Sequence, residues 1–105
     1  MTLQTPLVTL SGPVLTVTGD VDAESVIALR AQGEALIRAA SGPLTVDLSE
    51  LGTAHSVVLS MLLCWQRVAQ QLHRPMTFRG ANERLVSLAA LSNLQNQIPG
   101  FSPHG

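Results

Sequence analysis

The sequence predicts a single α/β domain with the element order β-β-α-β-α-β-α and a mainly parallel sheet with helices packed on it. Three observations support this fold class. Short β-rich runs alternate with longer stretches whose apolar residues recur at helical spacing, as in parallel-sheet proteins. Turn signals built on Gly and Pro separate these segments. The chain has 105 residues, of which 46% are hydrophobic, which suits one domain with a substantial core.

Four strands are predicted from runs rich in β-branched and aliphatic residues. They are expected at residues 7–10, 14–18, 44–48 and 76–79. The first two are separated by Ser11-Gly12-Pro13 and are expected to form a hairpin or to lie side by side. The third strand is mostly apolar between its turn signals, which predicts a central position with both faces buried.

Three helices are predicted from apolar residues that recur every three or four positions. The first is expected to begin after Asp22, a candidate N-cap. The second is expected from about Val57 to His73, and the third is expected to follow Asn82 as its cap. The tail at residues 96–105, which contains two prolines and two glycines, is expected to be irregular.

The chain carries unusually few charges for its size. Charged residues make up 12% of the sequence, about half of the roughly 25% that is typical of globular domains. A small domain with so few charges is expected to expose an apolar patch, and such patches mark interaction sites. The composition therefore favours a permanent partner or a homodimer.

Composition also excludes several function classes. A net charge of −1 and 3% aromatic residues provide neither a basic stripe nor a stacking platform for nucleic acid. Cys64 is the single cysteine, so no internal disulfide is possible, which suits a reducing compartment. The sequence shows no secretory signal pattern and no run of about 18 apolar residues. We therefore expect a cytoplasmic protein without direct membrane insertion.

No catalytic or metal-binding constellation is visible in the sequence. The histidines at positions 55, 73 and 104 have no metal-ligand spacing with Cys64 or with a carboxylate pair. No Gly-rich phosphate loop of the P-loop or Rossmann form is present. We expect no catalytic residue, no metal and no cofactor, so an enzyme is the least supported function class.

The second helix has two faces of different character. One is an apolar stripe that is expected to face the core, with Trp65 as a buried anchor whose indole N–H donates to a backbone carbonyl. Its members are Val58, Met61, Leu62, Trp65, Val68, Ala69 and Leu72. The opposite, outer face is formed by Ser56, Ser60, Leu63 and Arg67, flanked by Leu59 and Cys64. A solvated helix face would carry Glu and Lys there, so this pattern indicates a docking surface.

Ser56 stands at the start of this helix, where four backbone N–H groups lack intrahelical partners and the macrodipole is positive. Three roles are open to its hydroxyl group. It could be a helix cap worth about 1 kcal/mol, an acceptor of a phosphate, or a contact with a partner.

The residues around Ser56 resemble the signature of the STAS domain family. Val46-Asp47-Leu48-Ser49 continues through a short turn to Ala54-His55-Ser56-Val57-Val58 and a leucine-rich helix. The usual family form is an aliphatic strand, Asp-Leu-Ser, a turn, Asp-Ser or Asp-Thr, Ala-Gly and then such a helix. Gly19-Asp20-Val21-Asp22 also resembles a turn of that family, and the likeness extends from about Val14 to Leu94.

Within this family, the likeness is greatest to the small STAS subunit of the bacterial Mla phospholipid-transport ABC system. The resemblance implies a non-catalytic subunit that docks on the cytoplasmic ATPase and is held peripherally at the inner membrane. It also implies that the hydroxyl of Ser56 lies at the contact with the ATPase. Together with the outer face of the helix, this predicts partner binding by Ser56, Val57, Leu59, Ser60, Leu63 and Arg67, preceded by a turn containing Thr53 and His55.

The alternative implied by the same family is an anti-anti-sigma-type regulator, in which a partner kinase phosphorylates the residue equivalent to Ser56. Two departures from the family pattern weigh against this switch. His55 replaces the usual acidic residue, and Val57-Val58 replaces the usual Ala-Gly. A constitutive contact is compatible with both departures, because the valine pair adds apolar area to the outer face.

Overall fold

The computed structural model describes residues 6–52 and 56–91. Its elements are β1 Leu7–Ser11, β2 Val14–Thr18, α1 Val26–Ala39, β3 Leu44–Asp47, α2 Ser56–Gln71, β4 Met76–Arg79 and α3 Glu83–Leu91. This order is the predicted one. The tail at 96–105 lies outside the described residues, and no helix within them is long and apolar enough to cross a membrane.

The four strands form one sheet in the order β1-β2-β3-β4. β1 pairs with β2 in antiparallel register through a two-residue loop, which confirms the predicted hairpin. Gly12 opens this loop with φ +57, a conformation that favours glycine. β2, β3 and β4 are parallel, so all three end at the same end of the sheet. We call this the carboxyl end of the sheet, and α1, α2 and α3 each begin there.

The sheet buries only one of its faces. Along each strand, buried residues alternate with half-buried or exposed ones, as expected for side chains that point to opposite sides. In β3, Leu44 and Val46 are buried, whereas Thr45 and Asp47 are half-buried. The prediction that β3 is central is confirmed, but the prediction that both of its faces are buried is wrong. The apolar stripes of the helices supply enough cover for one face of the sheet.

Trp65 anchors α2 against α1. Its side chain is fully buried, and its indole N–H donates to the carbonyl oxygen of Arg30 at 3.0 Å, as predicted. Gly33 of α1 makes room for the ring, because a Cβ built at this glycine would lie 2.2 Å from Trp65 Cε2 and Cζ2. The predicted core stripe of α2 is otherwise confirmed, except that Leu72 is only half-buried.

The predicted N-cap at Asp22 stabilises a turn that precedes α1. Asp22 Oδ1 accepts hydrogen bonds from the backbone N–H groups of Ser25 and Glu24, at 2.8 and 3.0 Å. These bonds, with those of Ser25 contributing most, hold the pKa of Asp22 below its usual value. α1 itself begins at Val26, and Ser25 occupies its N-cap position without a side-chain cap bond.

α2 ends in a Schellman motif, two residues earlier than predicted. The N–H of Arg74 donates to the carbonyl of Ala69, and the N–H of His73 donates to that of Gln70. His73 has φ +56 and thus occupies the left-handed position where glycine is usual. At the next helix, the predicted cap is confirmed, since the N–H of Leu85 donates to Asn82 Oδ1 at 2.8 Å.

Candidate functional site

The segment that follows β3 is fixed by the loop that follows β2. The N–H of Gly52 donates to the carbonyl of Gly19 at 2.8 Å, and Gly19 forms an isolated parallel bridge with Leu51. A Cβ at Gly52 would lie 2.5 Å from Asp20 Oδ1. The two loops therefore approach so closely that a side chain at position 52 would have to displace the Asp20 carboxylate.

The same segment is held on its other side by Asp47 and by the end of β4. Asp47 Oδ1 accepts hydrogen bonds from the hydroxyl and the N–H of Ser49, at 2.7 and 2.9 Å, and its Oδ2 accepts one from Arg79 at 3.3 Å. The Ser49 hydroxyl and N–H, followed by Arg79, hold the pKa of Asp47 below its usual value. Gly80 has φ +75, and a Cβ there would lie 2.8 Å from the nitrogen of Ser49. The direction in which the chain leaves β3 toward α2 is thus set by contacts on both sides.

Ser56 is the first residue of α2 and is exposed. Its placement at the helix start is as predicted, whereas the preceding turn residues Thr53 and His55 lie outside the described residues. One turn later, the hydroxyl of Ser60 donates to the carbonyl of Ser56 at 3.5 Å. The Ser56 side chain is therefore presented to solvent at the positive end of a 16-residue helix.

The outer face of α2 is narrower than the sequence suggested. Ser60 and Arg67 are exposed, and Leu63 is half-buried. Val57 is also half-buried, next to the exposed Ser56. Leu59 is only 1% exposed, so its predicted place beside this face is wrong. It lies one turn before Leu62, and the apolar stripe of a core-facing helix is wide enough to include both residues.

An apolar groove adjoins the outer face and was not predicted. It lies between the N-terminal halves of α1 and α2 and has a volume of about 90 Å³. Its lining residues are Val26, Ile27, Arg30, Val57, Ser60, Met61 and Cys64. Ile27 is 67% exposed, although it is a large apolar residue. The sequence signal for this groove was Ile27 itself, which falls off the apolar stripe of α1.

The charges near the groove are already partly paired. Arg30, whose side chain helps to line the groove, forms an ion pair with Glu34, with 3.5 Å between Nε and Oε2. Cys64 is a half-buried free thiol. Within residues 6–52 and 56–91, no group of three His, Cys, Asp or Glu side chains could hold a metal ion. The groove is lined mainly by apolar side chains, with Arg30 and Ser60 as its polar members.

Comparison with known protein families identifies a match over most of the chain. The family model described as "Mlab, STAS domain" matches residues 8–100. This range includes all the described elements except the first residue of β1. Comparison with curated proteins gives no match.

Several solved structures share the fold. The anti-sigma factor antagonist SpoIIAA in its unphosphorylated form superposes with a TM-score of 0.69 at 13% identity, over 94% of this chain and 90% of that one. An anti-sigma factor antagonist from Mycobacterium paratuberculosis gives 0.70 at 21% identity, over 90% and 82%. The Bacillus cell fate determinant SpoIIAA in its phosphorylated form gives 0.65 at 13% identity, over 94% and 93%. These likenesses confirm the predicted α/β architecture.

Proposed function

The chain belongs to the STAS domain family described as Mlab, and from this membership we propose that it is a non-catalytic subunit docking on the cytoplasmic ATPase of a phospholipid-transport ABC complex. Binding to one face of the ATPase biases the assembly of the complex or its nucleotide cycle. The subunit is then cytoplasmic and is held at the inner membrane through its partner. STAS domains are in general non-catalytic interaction modules, which fits this role.

The observation that carries the proposal is the exposed, nearly uncharged face of α2. Arg67 is the single charged residue in the helix, and it lies beyond the first two turns. The residues before it on this face are small or aliphatic, namely Ser56, Val57, Ser60 and Leu63. A face of this composition is poorly suited to water and well suited to a close protein contact.

Co-purification from the native host with the ATPase subunit of an ABC complex tests the proposal. Leu63→Glu and Ser56→Glu are expected to abolish binding, because a new charge in a contact that excludes water is costly to desolvate. Thr77→Glu is the matched control, since Thr77 is exposed on β4 and lies outside the outer face. The stimulation or inhibition of ATP hydrolysis by the added subunit is measured in parallel.

Thermal melts followed by circular dichroism must accompany these binding assays. Leu63 packs partly against the core, so a variant that loses both binding and its cooperative melt would place this residue in the core. Binding of both glutamate variants at wild-type strength would contradict the docking role of the outer face.

The second candidate function is an anti-anti-sigma-type regulator whose docking is switched by phosphorylation of Ser56. Two observations favour it. SpoIIAA has this fold in both its phosphorylated and its unphosphorylated form, and Ser56 is exposed at the start of α2. A phosphate would add a charge of about −2 to the interface and so disrupt it. Intact-mass spectrometry of the chain from its native host decides between the two. A substantial population heavier by one phosphate, mapped to Ser56, would contradict the role of constitutive subunit and support the role of phosphorylated regulator.

A further inference from the structure

The acidic residues of this chain are concentrated at the carboxyl end of the sheet. All seven acidic residues and all six arginines lie within the described ranges. The six acidic residues at the carboxyl end are Asp20, Asp22, Glu24, Asp47, Glu50 and Glu83. Two arginines, Arg79 and Arg84, lie there with them. Six carboxylates against two guanidinium groups give this end a net charge of −4, although the whole chain carries only −1.

The groove between α1 and α2 opens at this same end. Val26 and Ile27 belong to the first turn of α1, and Val57 belongs to the first turn of α2. Glu24 precedes α1 by two residues, Glu50 lies in the segment before α2, and both are exposed. An aliphatic recess and a group of carboxylates therefore share the carboxyl end of the sheet. Clustered charges of one sign beside an apolar wall raise the local concentration of oppositely charged groups.

We propose that the groove and these carboxylates together form a two-part docking site for a basic partner segment. The segment places an aliphatic side chain in the groove, beside Ile27, and a Lys or Arg close to it contacts Glu24 and Glu50. This inference rests on the proposed function and names the chemistry that the ATPase subunit must present. Charge decides the occupant, because a second copy of this chain would bring another net charge of −4 if it docked through the same end.

The two parts of the site act on different steps of binding. Carboxylates at the rim attract a basic partner over a distance, which mainly raises the association rate and makes it dependent on salt. An aliphatic side chain buried in the groove has to leave water only once the complex has formed, so it mainly lowers the dissociation rate. The site thus predicts that rim and groove variants have separable kinetic effects.

Binding kinetics of the full chain with the purified ATPase subunit test this inference. In Glu24→Gln/Glu50→Gln, association at low salt is expected to fall by about tenfold, with a smaller fall at high salt. In Ile27→Ser, dissociation is expected to rise by about tenfold to a hundredfold, with an unchanged salt dependence. Leu7→Ser is the matched control, since Leu7 is 53% exposed on β1, away from the groove.

Cys64 gives a direct measure of groove occupancy. It is the single thiol of the chain and lines the groove, so its reaction rate with a small maleimide is expected to fall when the ATPase subunit is bound. The reaction rate in the free wild-type chain provides the reference for an unblocked thiol.

Three results would overturn the inference. The first is a dissociation rate of Ile27→Ser equal to that of wild type, together with a Cys64 reaction rate that is the same in the complex as in the free chain. The second is an association rate that does not depend on salt or on the two glutamates. The third is concentration-dependent self-association that Ile27→Ser abolishes, which would assign the groove to a second copy. If Leu63→Glu abolishes ATPase binding while the groove and glutamate variants bind like wild type, only this inference fails. If the wild-type chain does not bind the ATPase, the proposed function fails as well.

Discussion

Replacing Gly33 with alanine should destabilise the protein, although alanine is the better helix former. At an unconstrained position inside a helix, Gly→Ala gains about 1 kcal/mol. Here the new Cβ would lie 2.2 Å from two ring atoms of Trp65, and carbon atoms in contact need about 3.5–4.0 Å. Trp65 cannot move away easily, because its ring is fully buried and its N–H donates to the carbonyl oxygen of Arg30, which lies in α1 with Gly33.

The magnitude follows from three contributions. Overpacking of a tight core costs about 1–3 kcal/mol, and displacement of the indole would weaken a hydrogen bond worth about 0.5–1.5 kcal/mol. Subtracting the gain of about 1 kcal/mol in helix propensity leaves a net loss of roughly 0.5–3.5 kcal/mol. For a domain of this size, a loss of 2 kcal/mol lowers Tm by about 10 °C.

Denaturant unfolding measures this loss, with circular dichroism and the fluorescence of Trp65, the single tryptophan, as probes. Ala35→Gly, at an exposed position of α1, calibrates the propensity effect in the same helix. In a Trp65→Leu background, Gly33→Ala should become neutral or stabilising, since the clash is removed. If Gly33→Ala alone raises the free energy of unfolding by about 1 kcal/mol, the predicted clash with Trp65 is refuted.

Other predictions concern single positions elsewhere in the fold. His73→Gly should raise the unfolding free energy by about 0.5–1 kcal/mol in urea titrations, because it relieves a left-handed residue in the Schellman motif, whereas a loss of stability would show that the His73 side chain is needed. The unfolding free energy should fall as pH drops below about 4, since the lowered pKa of Asp47 stabilises the fold only while the carboxylate is charged. The deficit of Asp47→Asn relative to wild type should therefore shrink between pH 5 and pH 2.5 in the same titrations, and a constant deficit would contradict the assignment. Ser56→Ala should weaken ATPase binding about tenfold or less in calorimetry, as expected for one neutral hydrogen bond, and complete loss would point to a larger role.

Most of the fold could be predicted from local patterns in the sequence. Apolar periodicity identified α2 and its core stripe, because a helix that packs on a sheet must present one continuous apolar side. Trp65 was correctly placed for the same reason, and its indole N–H had to find an acceptor once it was buried. The caps and turns were also readable, as the Asn82 cap and the Gly12-Pro13 hairpin loop show.

What could not be predicted depends on how neighbouring elements meet. Leu59 lies between the core stripe and the outer face, and the angular position of a residue does not reveal how wide the buried side is. Thr45 and Asp47 are half-buried because one face of the sheet is less covered, and the composition of β3 alone does not state which faces the helices cover. The groove requires α1 beside α2, so the exposed Ile27 acquires meaning only in the assembled fold.

The close approach of Gly19 to Gly52, and of Gly80 to Ser49, has a consequence for genetics. These glycines pack against other residues of the same chain, so a side chain at their positions would shift the segment that leads into α2. Assembly would weaken, although no group that touches the partner is removed. A screen for lost assembly should therefore recover two classes of allele. Alleles on the outer face should be rescued by compensating changes in the partner gene. Alleles at the glycines should instead be rescued only by second changes within this chain, such as a smaller residue in place of Asp20 beside Gly52.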